Sequence, residues 1–251
     1  MGEEGTRLLW GIAVSGGLAA VAWGLGLVTA GGATAGFLVG VAVYGGMGLA
    51  GFLCLATFFL VGSGLTRLGY GRKAERGVAE PRRGARGPRE VLGKGAVAAG
   101  LALASLGGWP GVSVAFAGAL ASALSDTAST EVGQLSRGGA WLLVPAKPVP
   151  TGTPGAVSAW GVAAGALGSL GMVLLCFALG VVPGAGAVAA ALGGFLANLL
   201  ESVVRSATGA RIVCPASSAG HPGTRLGDCG LNLVTTGAGA GLSLLLWSLL
   251  R

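Results

Sequence analysis

The sequence predicts an all-α bundle of about seven or eight membrane-crossing helices, on three observations. Of the 251 residues, 53% are apolar and only 10% are charged, whereas soluble domains carry about a quarter charged residues. Apolar runs approaching the roughly 20 residues that a span needs recur along the whole chain, and the mean hydropathy is +0.78. The charged residues crowd into some gaps between runs and are missing from others. The 51 glycines follow no three-residue period, which excludes a collagen-like chain. Small residues in such number suit close helix contact in lipid, where backbones approach one another directly. Residues 1–251 therefore read as a single integral membrane domain.

The first run, 8–29, is preceded by Glu3 and Glu4 rather than a basic segment and has no clear cleavage site. It is expected to be a retained span, not a removed signal. Runs 33–46 and 48–65 follow. The basic loop 66–94 comes next. It carries Arg67, Arg72, Lys73, Arg76, Arg82, Arg83, Arg86, Arg89 and Lys94 against Glu75, Glu80 and Glu90. Such a loop is expected either to be disordered or to fold over the membrane face. Runs 93–108 and 112–127 flank the uncharged turn Trp109-Pro110-Gly111. Runs 157–180 and 185–204 flank Val182-Pro183-Gly184, and 231–250 is the last.

The loops have a sidedness. An excess of Lys and Arg marks the cytoplasmic side, so loop 66–94 is expected there. The loops 125–156 and 201–230, each two spans further on, fall on the same side and carry Arg137 and Lys147, then Arg205, Arg211 and Arg225. The turns at 109–111 and 182–184 carry no charge. Three spans before the basic loop place the N-terminus outside.

Nearly every polar residue that needs explaining lies in these three places. The stretch SDTASTEVG, 125–133, sets two carboxylates at the end of an apolar run. An acid there is expensive unless hydrated, paired or bound to a cation. Asp126 and Glu131 are five residues apart, about 140° around a helix at 100° per residue. Either the helix breaks near Ala128, or the two serve different ions or partners. As hard oxygen donors they suit Mg²⁺ bound to phosphates; as hydrated helix-end groups they need no ligand. The second place, KPVPTGTPGAVS at 147–158, has Gly152 and Gly155, which allow close backbone approach. Thr153 is expected to cap a helix that begins at Pro154. A helix start of that kind binds phosphate through free amide groups, with Lys147 and Ser158 adding contacts. Without a GK[ST] ending it is not a Walker A loop. In the third place Asn198, Glu201 and Arg205 share a helix face. Glu201 is expected either to pair with Arg205 or to be a third metal ligand. Asp228 and Asn232, four apart, are further candidates.

Other chemistry is poorly supplied. His221 is the lone histidine, and neither a metal-like CxxC pair nor HExxH occurs. The basic loop has one aromatic, Tyr70, so phosphate beside anionic lipid is a better match than nucleic acid. Cys54 and Cys176 lie in apolar runs, and Cys214 and Cys229 read as free thiols. Carboxylates, a glycine-rich loop and many arginines are what phosphoryl transfer uses: positioning and charge neutralisation rather than covalent chemistry.

Three stretches then resemble one family. GVAEPRRGARGPREVL (77–92), SDTASTEVG (125–133) and VPTGTPGAVSAWG (149–161), in that order, are similar to motifs of the DUF92 membrane family, which includes plant and cyanobacterial phytyl-phosphate kinases of tocopherol synthesis. Where that family follows its acidic-Ser pair with two apolar residues and Gly-Ala-Thr, this chain has Val203-Val204-Arg205-Ser206-Ala207-Thr208. Asp228 and Asn232 also stand one residue further apart than the family's late Asn-Asp pattern. The resemblance implies transfer of a phosphoryl group from a nucleoside triphosphate, CTP being the one it suggests, to an isoprenyl monophosphate such as phytyl or geranylgeranyl phosphate. On that reading Asp126, Glu131 and Lys147 carry the chemistry. Asp126, Glu131 and Glu201 hold Mg²⁺. Arg82, Arg83, Arg86, Gly152, Thr153, Gly155 and Ser158 bind phosphate and nucleotide. The alternative is a transporter or flippase of a phosphorylated lipid or small anion, which also uses carboxylates within the membrane.

Overall fold

The computed structural model describes residues 3–208 and 225–251, without the side chains of 3–4, 208 and 225–228. The helices are α1 (Glu3–Gly24), α2 (Ala30–Arg67), the short α3 (Tyr70–Glu75), α4 (Pro88–Ala104), α5 (Val112–Gly133), α6 (Ala159–Ala178), α7 (Gly184–Thr208) and α8 (Arg225–Leu249). Between α5 and α6 lies a small antiparallel sheet of β1 (Ala140–Leu142), β2 (Lys147–Val149) and β3 (Ala156–Val157), in the order β2-β1-β3. Among the described residues, seven helices are long and apolar enough to cross a membrane.

One of the seven is a hairpin. Gly48, at φ 66 and ψ −163, interrupts α2 in a region of backbone space open essentially only to glycine. The ring of Phe52 packs edge-on against that of Tyr44, 6.0 Å away, where eight residues of straight helix would separate them by about 12 Å. Arg67 at the end of α2 reaches back to the Gly26 carbonyl at 2.7 Å. Arg7 at the start of α1 reaches the Gly46 carbonyl at 3.3 Å. The chain therefore runs the length of the bundle eight times, and the expected runs 33–46 and 48–65 are the two arms of α2.

This path puts 25–29, 68–87 and 134–158 at one end of the bundle, called here the motif end. The reversals at Gly48, 105–111 and 179–183 lie at the opposite end. Exposed Trp23 and Trp160 sit toward the motif end, and exposed Trp10 and Trp109 toward the other, as in the aromatic belts of membrane proteins. Leu38, Leu60, Leu167, Leu174 and Leu245 stand exposed along the sides. With this surface and seven apolar helices, the chain is an integral membrane protein.

Helix α5 is the axis. Its apolar window is 78% buried, against 39% or less for the other six. Small residues allow that depth. A Cβ added to Gly194 of α7 would lie 2.6 Å from the Ala121 Cβ and 2.8 Å from the Ser122 nitrogen, so the two backbones almost touch. The basic loop folds over the motif end and is stitched to it. Arg86 donates its amide to the Leu27 carbonyl at 2.9 Å and accepts from the Thr29 amide at 3.0 Å. Arg76 donates to the Gln134 carbonyl at 2.6 Å. The Tyr70 hydroxyl donates to the Glu80 carbonyl at 2.7 Å.

Candidate functional site

The stretch 125–133 is not a loop. It forms the last two turns of α5, which continues unbroken to Gly133. Its hydroxyls are absorbed locally: Thr127 donates to the Ala123 carbonyl at 2.9 Å and Ser129 to the Asp126 carbonyl at 3.1 Å. Because the helix does not break at Ala128, the carboxylates diverge, as their spacing requires, and each meets its own lysine. Glu131, 5% exposed, pairs with the fully buried Lys73 at 2.5 Å. The same ammonium donates to the Thr66 carbonyl at 2.7 Å. Asp126 pairs with Lys94 of α4 at 2.6 Å, and Lys94 also reaches the Thr127 hydroxyl at 2.7 Å.

Asp126 faces a small polar pocket between α4, α5, α7 and α8. Lys94, Ser122, Glu201 and Asn232 share its lining. Glu201 is held by Arg205 through its Oε1 at 2.8 Å. Its Oε2 is buried and has no hydrogen-bond partner. A buried carboxylate oxygen without a donor is costly, and Glu201 shares its pocket with the oxygen-bearing side chains of Asp126 and Asn232. These are hard oxygen donors of the kind Mg²⁺ takes, closely packed and with the Lys94 ammonium on Asp126. Glu131 does not join them, and among the described residues no three His, Cys, Asp or Glu converge as a metal cluster. Of the expected trio, Asp126 and Glu201 line one pocket with Asn232, and Glu131 lies apart on Lys73. The side chain of Asp228, like His221 and Cys214, lies outside the described residues; Cys54, Cys176 and Cys229 are free thiols.

Asn198, 4% exposed, does not face the pocket. Its amide joins the Ser125 and Ser129 hydroxyls at 3.0 and 3.2 Å, which ties α7 to α5.

The glycine-rich loop departs from expectation. Thr153 does not cap a helix; its hydroxyl and amide both donate to the Pro150 carbonyl in a tight turn. The chain then pairs as β3 with β1, and α6 starts only at Ala159. Ser158 is the true cap, its hydroxyl accepting from the Gly161 amide at 3.1 Å. The Ser158 hydroxyl accepts in this cap, which leaves its O–H as the part that could donate to a phosphate. Gly152 and Gly155 have φ of 93 and 77, and their close approach is to protein: Cβ atoms there would lie 2.5 Å from Val78 and 2.7 Å from the Ser206 nitrogen. Lys147 stands exposed on β2, an edge strand of the sheet.

The three loop arginines differ. Arg82 and Arg83 both adopt φ of 54, a left-handed conformation unusual for residues with a Cβ. Arg82 is half spent on Glu90, at 3.1 Å with both side chains exposed, while Arg83 is exposed on the outer face. Arg86 turns inward, its guanidinium 5.6 Å from the Phe58 ring centroid and 5.9 Å from that of Phe59. Among the described residues no carboxylate pairs with it. Burial pushes its pKa below the usual arginine value, opposed by Glu131, Glu80, Glu90 and Asp126; an arginine so placed remains a cation.

Beneath Arg86 an apolar slot opens between α1, both arms of α2 and α4, with about 640 Å³ of empty space, part of it open to the surroundings. Arg86 and Lys94 line it together with Leu18, Val39, Leu55 and Phe59. Lys94 lines both the slot and the carboxylate pocket. Sequence reasoning missed Lys73 and Lys94 as site residues. Their partners lie 58 and 32 residues away, so no local spacing signals them.

The family described as Integral membrane protein DUF92 matches residues 13–237. The chain is 36% identical over 174 residues to the uncharacterized membrane protein sll0875 of Synechocystis sp., covering 67% of each. It is 35% identical over 183 residues to Protein VTE6, chloroplastic, of Arabidopsis thaliana, covering 70% of this chain and 55% of that protein. It is 30% identical over 117 residues to the uncharacterized membrane protein MJ0933 of Methanocaldococcus jannaschii, covering 47% and 48%. The matched stretch is thus just over half of the plant protein's length. No solved structure matches the chain.

Proposed function

We propose, for a chain that belongs to the DUF92 family of integral membrane proteins, that it is a membrane-embedded kinase. It transfers the γ-phosphoryl group of a nucleoside triphosphate to an isoprenyl monophosphate and yields the diphosphate. The observation that supports this reading is the pocket lined by Asp126, paired with Lys94, and by Glu201, whose second oxygen has no hydrogen-bond partner. The isoprenyl acceptor is what the family resemblance implies. The site lies on the cytoplasmic face by its charge, since the basic loop covers that end.

In the reaction the bond from the γ-phosphorus to the β,γ-bridging oxygen breaks, and an oxygen of the lipid phosphate bonds to that phosphorus. The nucleoside diphosphate leaves. The acceptor is already an anion at neutral pH, so no general base is required, and a site without a described histidine is adequate. Asp126, Glu201 and Asn232 would hold Mg²⁺, which supplies charge neutralisation between phosphates when bound. Lys94 places its ammonium between the carboxylates and the slot, where it neutralises and orients the acceptor phosphate. Arg83, exposed on the loop, reaches the nucleotide from outside. Glu131 acts indirectly, holding Lys73 and with it the fold of the basic loop. The polar residues gather at one end of the bundle, which favours an interfacial enzyme over a transporter, whose site lies near the midplane.

The test is purified protein with Mg²⁺, each nucleotide in turn and phytyl or geranylgeranyl phosphate. Diphosphate forms with at least one nucleotide, and Asp126→Asn lowers the rate by about 100-fold or more, as for loss of a group that stabilises transition-state charge. No diphosphate with any nucleotide overturns the proposal.

A further inference from the structure

The slot is not accounted for by the carboxylate pocket. Its walls are apolar, and its motif-end lining carries Arg86 and Lys94 beside one acid, Glu90, whose carboxylate is paired with Arg82. Phe59 lies under Arg86, and Phe52 is seven residues further along the same arm, about 10 Å at 1.5 Å per residue. Ser15 and Ala22 span the same distance on α1. Ser15, Gly40 and Phe52 close the far end. A Cβ on Gly40 would lie 2.7 Å from the Ser15 hydroxyl and 3.3 Å from the Phe52 ring. The Ser15 hydroxyl is buried without a partner. At the other end Arg86 has no ion pair among the described residues, and Lys94 faces the slot as well as Asp126.

We propose that this slot holds the isoprenyl tail of a single-chain lipid monophosphate, with the phosphate between Arg86 and Lys94. The charge favours this occupant. Two cations meet one phosphate, and the apolar walls below meet hydrocarbon. The depth matches a geranyl tail; the far end of a longer tail leaves through the open side into lipid. A two-chain phospholipid is a poorer match for a slot between four helical segments that narrows at Gly40. The proposal rests on the kinase reading for its choice of an isoprenyl chain, and it identifies Gly36, Ala56 and Phe52 as the residues that shape the tail site. Gly36 lines the slot, and a Cβ there would meet nothing within 4 Å. A larger side chain at 36 therefore fills the slot and not its walls.

The test uses geranyl monophosphate with a diazirine at its tail end, photolysed with the protein in nanodiscs without nucleotide. Labelled peptides are mapped by mass spectrometry. The expected label falls around Ser15 and Phe52, is displaced by unlabelled geranyl phosphate, and is weakened in Arg86→Gln. Gly36→Leu reduces it by about tenfold or more, the cost of forcing methylenes into occupied space. If Gly36→Leu does not fold, Ala56→Phe serves, with the unliganded melting temperature as the check. Label spread over lipid-facing leucines, or unchanged in both variants, overturns the proposal. Displacement by phosphatidic acid as effective as by geranyl phosphate assigns the slot to a phospholipid and also overturns it. If the wild-type protein makes no diphosphate but the label maps to the slot, the kinase reading fails and the slot assignment stands. If diphosphate forms but the label misses the slot, the reverse holds.

Discussion

At the residue scale, Asp126 and Glu131 occupy one helix and the same motif, yet their surroundings predict opposite phenotypes. Glu131 and Lys73 are both buried, at 6% and 0% side-chain exposure. Removing one partner of such a pair leaves a charge with nothing to balance it, at a cost of about 3–5 kcal/mol. Glu131→Gln is therefore expected to lower the melting temperature of the purified protein sharply. The double variant Lys73→Met with Glu131→Leu, which removes both charges, is expected to recover most of that loss, since buried ion pairs are often replaceable by apolar groups. Asp126 and Lys94 retain 16% and 15% exposure and border a pocket, so Asp126→Asn is expected to keep the melting temperature and lose transfer. Thermal unfolding of the four proteins, followed in one detergent, decides it. If Glu131→Gln melts like the wild type and only transfer is lost, Glu131 belongs with the chemistry. The sequence contained the divergence of these carboxylates, because their spacing on a helix is arithmetic. It did not contain their lysines. Lys73 and Lys94 read as two more charges in a basic loop, and only the fold of that loop over α5 tells them from Arg72 or Arg89.

At the element scale, the long apolar runs and the break between 33–46 and 48–65 were legible, and the local starts and stops were not. Thr153-Pro154 is a good capping pair, yet the cap of α6 comes five residues later at Ser158, because 156–157 pair with β1. A competing strand so short leaves no periodicity to read. The end of α5 was missed for a related reason. Polarity suggested a loop at 125, but the carboxylates find lysines and the hydroxyls find backbone carbonyls, so the helix continues. Gly48 carries the element-scale prediction. Its φ of 66 with ψ of −163 is closed to other residues at a cost of about 1–3 kcal/mol, and a side chain would also meet the Arg7 guanidinium, 3.0 Å from an added Cβ. Gly48→Ala is expected to lower the melting temperature. Gly100→Ala, in the middle of α4 with nothing within 4 Å of the added atom, is expected to cost nothing. Equal melting of the two variants would mean that α2 does not turn on Gly48.

At the scale of the whole molecule, eight passes and an asymmetric charge predict an orientation that can be measured. Among the described residues, the only Lys and Arg at the end opposite the motifs are Arg7 and Arg251; the basic loop, Arg137, Lys147 and Arg205 are all at the motif end. Translocating that end would carry the whole basic loop through the bilayer, against the bias that holds Lys and Arg in the cytoplasm. The even number of passes adds a second constraint, since Gly5 and Leu249 must then lie on the same side, opposite the basic loop. In a protein whose four cysteines are replaced, single cysteines at Arg83→Cys and Trp109→Cys separate the cases. A membrane-impermeant maleimide is expected to label position 109 on intact cells and position 83 only in inverted vesicles. Labelling of 83 from outside would reverse the orientation, and with it the access of a cytoplasmic nucleotide that the proposed reaction requires. Labelling of both positions from one side would break the pass count. An odd number of passes between 83 and 109 requires opposite sides, and α4 is the single helix that joins them, so the two labels together report whether α4 crosses.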